Sequence, residues 1–284
     1  MRQTVVCRVD CKGKDMIKTT LKKCDVSDIQ RTLDYIGDDR LLCFYLYMDV
    51  LECGIEDEGL GLWLSETDGE INAVMYQYYD CLHLFGRGEC PVADVMTVIG
   101  EIDPKVIVSS EDNIKALCNV LDESKYIYEL NHIITTDVLM KENPDMEILT
   151  ATKEDVPEIV TMMMKDRIYS EVYSYEKLCG ALVRRLEDGF GRLFIIRDEN
   201  GKIVCADATN AETEDLAVIG GLVTDPEMRG RGLGQAMTGS VWNTVLREGK
   251  RGLAFLLNDN EKTINLHKKL GYDFIGYSAR LIKK

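Results

Sequence analysis

Apolar positions along the chain alternate between a helical spacing and a strand spacing, and the order in which they do so occurs twice. Over the first half the pattern predicts a strand at 16–21 and a helix at 25–36, where Val26, Ile29, Leu33 and Ile36 fall on one face. An aromatic helix at 40–51 follows, then a meander of strands at 60–64, 71–78 and 81–85, turned first by Thr67-Asp68-Gly69. A helix at 92–102, a short strand at 106–109, a helix at 113–121 and two closing strands within 126–136 complete the series. After a break at Asn143-Pro144-Asp145 the series begins again. It runs as strand 146–150, helices 154–165 and 175–187, strands 192–197, 202–209 and 216–224, helix 232–247, strand 252–257, helix 262–270 and strands 273–282. Thr152 and Ser174 precede the first two of these helices as N-caps.

Short matches support the repetition. Lys23-Cys24-Asp25-Val26-Ser27-Asp28-Ile29 aligns with Lys153-Glu154-Asp155-Val156-Pro157-Glu158-Ile159, and Asp68-Gly69-Glu70-Ile71 with Asn200-Gly201-Lys202-Ile203, at offsets of 130 and 132 residues. We therefore expect two domains, 1–145 and 146–284, each a copy of one fold. Helices interleaved with a mixed, mostly antiparallel sheet define an α/β class. A chain of 284 residues gives each copy enough material for its own core.

Charge and cysteine content narrow the function. A net charge of -15 opposes binding to nucleic acid or to an anionic membrane and favours a cationic substrate. The longest apolar run, 41–47, is too short to span a bilayer. Ten cysteines behind a polar N-terminus, with no Cys-x-x-Cys pair, are expected as free thiols in a cytoplasmic protein. Cys81, His83 and Cys90 lack a fourth zinc ligand, so we expect them to be structural and no metal to be bound.

One stretch carries candidate chemistry. In Leu222-Val223-Thr224-Asp225-Pro226-Glu227-Met228-Arg229-Gly230-Arg231-Gly232-Leu233-Gly234-Gln235 an apolar strand enters a proline turn and then a glycine-rich helix start. Glycines at 230, 232 and 234 let a ligand approach successive peptide NH groups, and the following helix adds its positive end. A dinucleotide fingerprint would need glycine where Gln235 stands, and an ATP loop would need Gly-Lys-Ser/Thr.

This stretch resembles the acyl-CoA signature of the GNAT N-acetyltransferase superfamily, Gln/Arg-x-x-Gly-x-Gly/Ala after a hydrophobic strand. Downstream, Asn260-x-x-Thr263-x-x-Leu266-His267-x-x-Leu270-Gly271-Tyr272 is similar to the second landmark of that family. The resemblance covers 146–284. The first half keeps the element order, but Phe85-Gly86-Arg87-Gly88-Glu89-Cys90 stands where the signature belongs, as in a degenerate copy.

The resemblance implies two tandem GNAT-like domains. It implies acetyl-CoA as co-substrate, held by Leu222, Val223, Thr224, Arg229, Gly230, Arg231, Gly232, Leu233, Gly234, Gln235 and Asn260. It further implies direct transfer of an acetyl or short acyl group to the amine of a small molecule or peptide, without an enzyme nucleophile. A bulge near Gly220-Gly221 would splay the strand from its neighbour, and the Val223 backbone NH would polarise the thioester. His267 occupies the place of the family's tyrosine acid, so it either protonates the leaving thiolate or packs. Asp207, Glu212, Glu214 and Asp215 are candidate bases. The alternative is a non-catalytic acyl-CoA binder or sensor.

Overall fold

The computed structural model describes residues 4–7, 18–143, 146–170 and 173–284. Residues 16 and 17 of the first expected strand, and Pro144 and Asp145 of the expected break, lie outside them. The chain forms two compact units, Met1–His132 with Gly276–Lys284, and Ile133–Ile275.

In unit 1, β1 (Thr4–Cys7) and β2 (Lys18–Lys23) lead into α1 (Ile29–Ile36) and α2 (Phe44–Glu52). The meander is β3 (Leu60–Thr67), β4 (Glu70–Tyr78) and β5 (Cys81–Gly86), followed by α3 (Val92–Ile102), β6 (Val106–Ser110) and α4 (Glu111–Cys118). Strand β7 (Tyr126–Thr136) leaves this unit, and its residues 133–136 belong to unit 2. Asp68 and Gly69 both have positive φ, as the Asp-Gly turn between β3 and β4 requires.

Unit 2 continues with β8 (Leu149–Thr150), α5 (Val156–Met163), α6 (Arg167–Ser170) and α7 (Tyr175–Asp188). Strands β9 (Leu193–Arg197), β10 (Ile203–Glu212), β11 (Leu216–Ile219) and β12 (Val223–Thr224) precede α8 (Leu233–Arg247), β13 (Arg251–Leu257) and α9 (Glu261–Lys269). The last strand, β14 (Asp273–Lys283), returns to unit 1 over 276–283.

The two units share one topology. In unit 1, β2, β3, β4 and β5 pair antiparallel in turn, β5 pairs parallel with β6 across α3, and β6 pairs antiparallel with β14. In unit 2, β8, β9, β10 and β11 pair antiparallel in turn and β11 pairs parallel with β13 across α8. A parallel pair needs a crossover, and a helix supplies it both times.

The units divide at a different place from the boundary near residue 145. The reason is the pairing of the chain end: Ser278 to Ile282 register against Ser110 to Val106, so the terminal strand is part of the first sheet. Arg280 bonds Glu129, and Lys283 Nζ bonds Asp103 at 2.6 Å, both within unit 1. Strands β7 and β14 are each continuous, where two strands were expected. Expected strand 216–224 is instead two short strands separated at 220–222.

Each unit buries its own core. On α8, Met237, Val241, Trp242 and Val245 are fully buried, the face predicted from their spacing. They pack with Ile219, Ala254, Leu256 and Tyr272. Met162 and Met163 pack with Leu178, Leu193 and Val223 on the other side of the β10 sheet, as core residues.

Candidate active site

The β10 strand organises the site. Cys205 and Ala206 face Thr224 and Val223 of β12, and Ala208 O accepts from Gly220 N at 2.9 Å. The single residue Asp207 is therefore set against two, Gly221 and Leu222, which is a β-bulge. Gly221 takes φ +101, a conformation that favours glycine. The bulge is the expected one, and it ends β11. Strand β13 keeps its parallel register with β11 at Leu216, Ala217 and Val218, and β12 pairs with β10 alone. A gap opens between β12 and β13.

Beyond β12 the chain is fixed by a buried anion. The Asp225 side chain is fully buried and accepts from Lys165 Nζ at 2.8 Å, Lys202 Nζ at 3.0 Å and Glu227 N at 3.1 Å. The hydrogen bond from Lys165 is the largest cause that holds its carboxyl at about 2. Arg229 is tied back as well, from Nε to Thr224 O at 3.2 Å and from its guanidinium to Asp166 at 2.8 Å.

Gly230 and Gly232 then adopt φ +79 and +81, which turns the chain into α8. Gly232 is the N-cap and offers no side chain to the helix. Ala236 N, bonded to Gly232 O, is the first satisfied amide of α8; those of Leu233, Gly234 and Gln235 precede it and have no intrahelical acceptor. Three NH groups and the helix dipole thus point the same way.

They open on a cavity of about 380 Å³. Leu222, Val223, Thr224, Arg229, Gly230, Gly232, Leu233 and Gly234 line it, eight of the residues expected from the sequence. Arg231, Gln235, Asn260 and His267 are not on its wall, although the Gln235 amide is one of the three open ones. Asp166, Met228, Lys262, Thr263 and Leu266 complete the lining; Met228, Thr263 and Leu266 fall within the two motifs but were not among the expected cofactor contacts, and Asp166 and Lys262 were not named at all. Asp166 lies on the short loop before α6, a helix that the sequence pattern did not reveal.

The comparisons with known proteins meet at this geometry. The family model described as FR47-like protein matches residues 199–281, from the β9–β10 turn to β14. An uncharacterized N-acetyltransferase of Methanocaldococcus jannaschii is 28% identical over 139 residues, 44% of this chain. The match spans 60% of the length of that relative.

The chain is thus similar to N-acetyltransferases, with the family-model match lying within residues 199–281.

Solved structures extend the likeness of fold to nearly the whole chain. A Drosophila protein matches at a TM-score of 0.64 and 13% identity, covering 93% of this chain and 98% of that one. A tandem GNAT protein from the clavulanic acid biosynthesis pathway matches at 0.57 and 12% identity, covering 93% and 97%. Two copies of the GNAT-type mixed sheet, flanked by helices, is thus the fold.

Against this family background, two residues differ from their expected geometry. Asp225 N donates to Val204 O at 2.9 Å, and side alternates along a strand, so the Val223 amide also turns toward β10. The Thr224 amide faces the opposite side. The Val223 assignment as donor toward the gap is thereby displaced to the flanking amides.

His267 is buried, with its Nδ1 donating to Thr263 O at 2.8 Å and its ring edge-on to Tyr272 at 5.0 Å. Burial lowers its pKa. In the neutral ring Nε2 is then an acceptor, which suits packing better than proton donation. Asn260 spends its Oδ1 on capping α9, accepting from Thr263 N at 3.2 Å.

The candidate bases separate clearly. Glu212 is bonded by Arg192 and Lys250, which, with Thr209, hold its pKa down against burial. Asp215 accepts from Thr213 Oγ1 in a turn. Asp207 is buried beside the bulge, and desolvation pushes it up to about 7. Cys205 is pushed up to about 12 by burial, so its thiol stays protonated.

Unit 1 shows what the degenerate copy lacks. Its β4–β5 ladder runs from Ala73↔Gly86 to Tyr78↔Cys81 without a bulge. At the start of α3 the amides of Val92, Asp94 and Val95 are taken by Cys90 O and Pro91 O. Arg87 is drawn away to Asp39 at 2.6 Å and stacks on Tyr35. Cys81 and His83 are in contact at 3.4 Å next to Asp49, while Cys90 lines a separate cavity of about 440 Å³.

Proposed function

We propose that the chain is an acyl-CoA-dependent N-acyltransferase. In this reading unit 2 moves an acetyl or short acyl group from CoA directly to a primary amine, of a small molecule or a peptide. The observation that carries it is the bulge, the gap beside β12 and the three open amides of α8 on one cavity. Acetyl-CoA supplies an activated thioester carbonyl when bound. The α8 amides of Leu233, Gly234 and Gln235 receive its pyrophosphate, and Gly230 and Gly232 keep the approach free of side chains. Leu222 and Thr224 offer backbone groups to the pantetheine arm, and a flanking amide rather than that of Val223 stabilises negative charge on the thioester oxygen. Lys262, exposed at the cavity, supplies a cation for the phosphates. Arg229 positions the loop through Asp166, and Arg231 adds charge from solvent.

Among the described residues no helix is long and apolar enough to cross a membrane, and eight cysteines are free. A cytoplasmic setting and a cationic acceptor fit the charge of -15, which weighs against nucleic acid or anionic membrane as partner. The test is release of free thiol from acetyl-CoA with a panel of primary amines. Amine-dependent release supports transfer; acetyl-CoA binding with no release from any amine would favour the sensor.

A further inference from the structure

Unit 1 has a cavity of its own, and its chemistry is opposite to that of the cavity before α8. Thr19 of β2, Thr67 of β3 and Asn72 of β4 wall it together with the chain from Arg87 into the first turn of α3. Its volume of about 440 Å³ is that of a small-molecule site. Matched at their N-caps, Gly232 of α8 and Pro91 of α3, the two loops differ in sign. Glu89 takes the place of Gly230, Cys90 that of Arg231 and Asp94 that of Gln235. The amides of Val92 and Asp94 are turned to Cys90 O and Pro91 O, so α3 holds out no row of donors to an anion. Arg87, the cation of this loop, is already paired with Asp39 at 2.6 Å.

The wall carries a carboxylate without a counter-ion. Asp94 is 7% exposed and lines the cavity. Its Oδ2 accepts from Ser65 Oγ at 2.6 Å; among the described residues its Oδ1 has no bonded partner, and no Lys, Arg or His pairs with it. An acid three residues into a helix normally accepts from the N-cap amide, but Pro91 has none. Asn72 adds a second acceptor. A bulge sets it between Ile71 and Ala73, which pair with Glu66 and Ser65. Its Nδ2 donates to Thr67 Oγ1 at 2.5 Å, which leaves Oδ1 for a ligand.

These groups select among guests. An apolar molecule would strand the Asp94 oxygen, and an anion would meet Asp94 and Glu89. A quaternary ammonium needs aromatic faces, and among the described residues no aromatic side chain lines the cavity. No cluster of His, Cys, Asp or Glu among the described residues suits a metal ion. We propose that this cavity binds a small molecule through a primary ammonium group, with Asp94 as its counter-ion and Asn72 Oδ1 as a further acceptor. The site lies within unit 1 and stands apart from any transfer in unit 2.

The test is calorimetry on the full chain without CoA, at physiological ionic strength, with 1,4-diaminobutane as the probe. Diaminobutane should bind, and tetramethylammonium and inorganic phosphate should bind at least about tenfold more weakly. Asp94→Asn keeps an acceptor for Ser65 and removes the charge, so it should weaken diaminobutane by at least about tenfold. Ala93→Leu, at an exposed helical position on the same wall, fills the cavity without touching a charge and should weaken it by a similar factor. Acetyl-CoA affinity should stay within about twofold in both variants. No diaminobutane binding by the wild-type chain, or equal binding by all three proteins, overturns the proposal. So does tetramethylammonium binding as tightly as diaminobutane, which marks a general attraction to an acidic chain. If Asp94→Asn also lowers the urea midpoint, Ala93→Leu decides: binding like the wild type overturns the site, and weakened binding at an unchanged midpoint upholds it.

Discussion

Replacing Asp225 by Asn tests how the loop before α8 is held. The side chain is fully buried and takes two lysines and one amide. Holding its carboxyl at about 2 instead of 3.8 corresponds to about 2.5 kcal/mol at ~1.4 kcal/mol per pH unit. The lysine side chains are 40% and 47% exposed, so solvent screens both pairs and the expected loss is about 1–2 kcal/mol. The sign follows from the depressed folded value. The contribution is present above 3.8 and is lost as pH falls toward 2. Urea denaturation of wild type and Asp225→Asn at pH 7 should differ by that amount, and the difference should shrink at pH 3. Acetyl-CoA binding should weaken too, since Asp225 orients Pro226 to Gly232. A variant as stable as wild type at pH 7, with unchanged binding, would refute the anchoring role.

Other perturbations reach other parts of the molecule. Gly252→Ala would place a Cβ 2.6 and 2.7 Å from Trp242 ring atoms and 3.2 Å from Ile219, so we expect about 1–3 kcal/mol of destabilisation in urea. Asp207→Asn should be more stable than wild type at pH 8 by up to about 4 kcal/mol and show no such gain at pH 4. Its folded pKa lies above the ordinary one, so its stabilising contribution is lost as pH rises from 3.8 to about 7; equal stability at both pH values for both proteins would contradict the burial argument. Arg87→Ala should cost about 1 kcal/mol by freeing Asp39 and Tyr35, and should leave acetyl-CoA affinity unchanged.

Much of this was legible because local patterns agree with the fold. The spacing of Met237, Val241, Trp242 and Val245 gave α8 and its buried face, and glycines 230 and 232 marked the two positive-φ positions. What was not legible depends on contacts distant in sequence. Residues 278–282 read as a strand, but nothing in them says that 106–110 is the partner. Asp166 reaches the cavity from an element with no motif of its own, and Lys262 from one of the unspecified positions of the second motif. The side to which the Val223 amide turns depends on the strand register. Asp207 was one of four candidate bases in the sequence, and only its burial and the lack of a bonded cation among the described residues set it apart from the others.

The central claim is that one unit grips acyl-CoA and the other has lost the grip. Calorimetric titration of the full chain with acetyl-CoA tests it most directly. The account predicts one molecule bound per chain, abolished by Gly234→Glu, which sets a carboxylate at the open amides while Arg87→Ala binds normally. Two molecules per chain, or binding that survives Gly234→Glu, would contradict it.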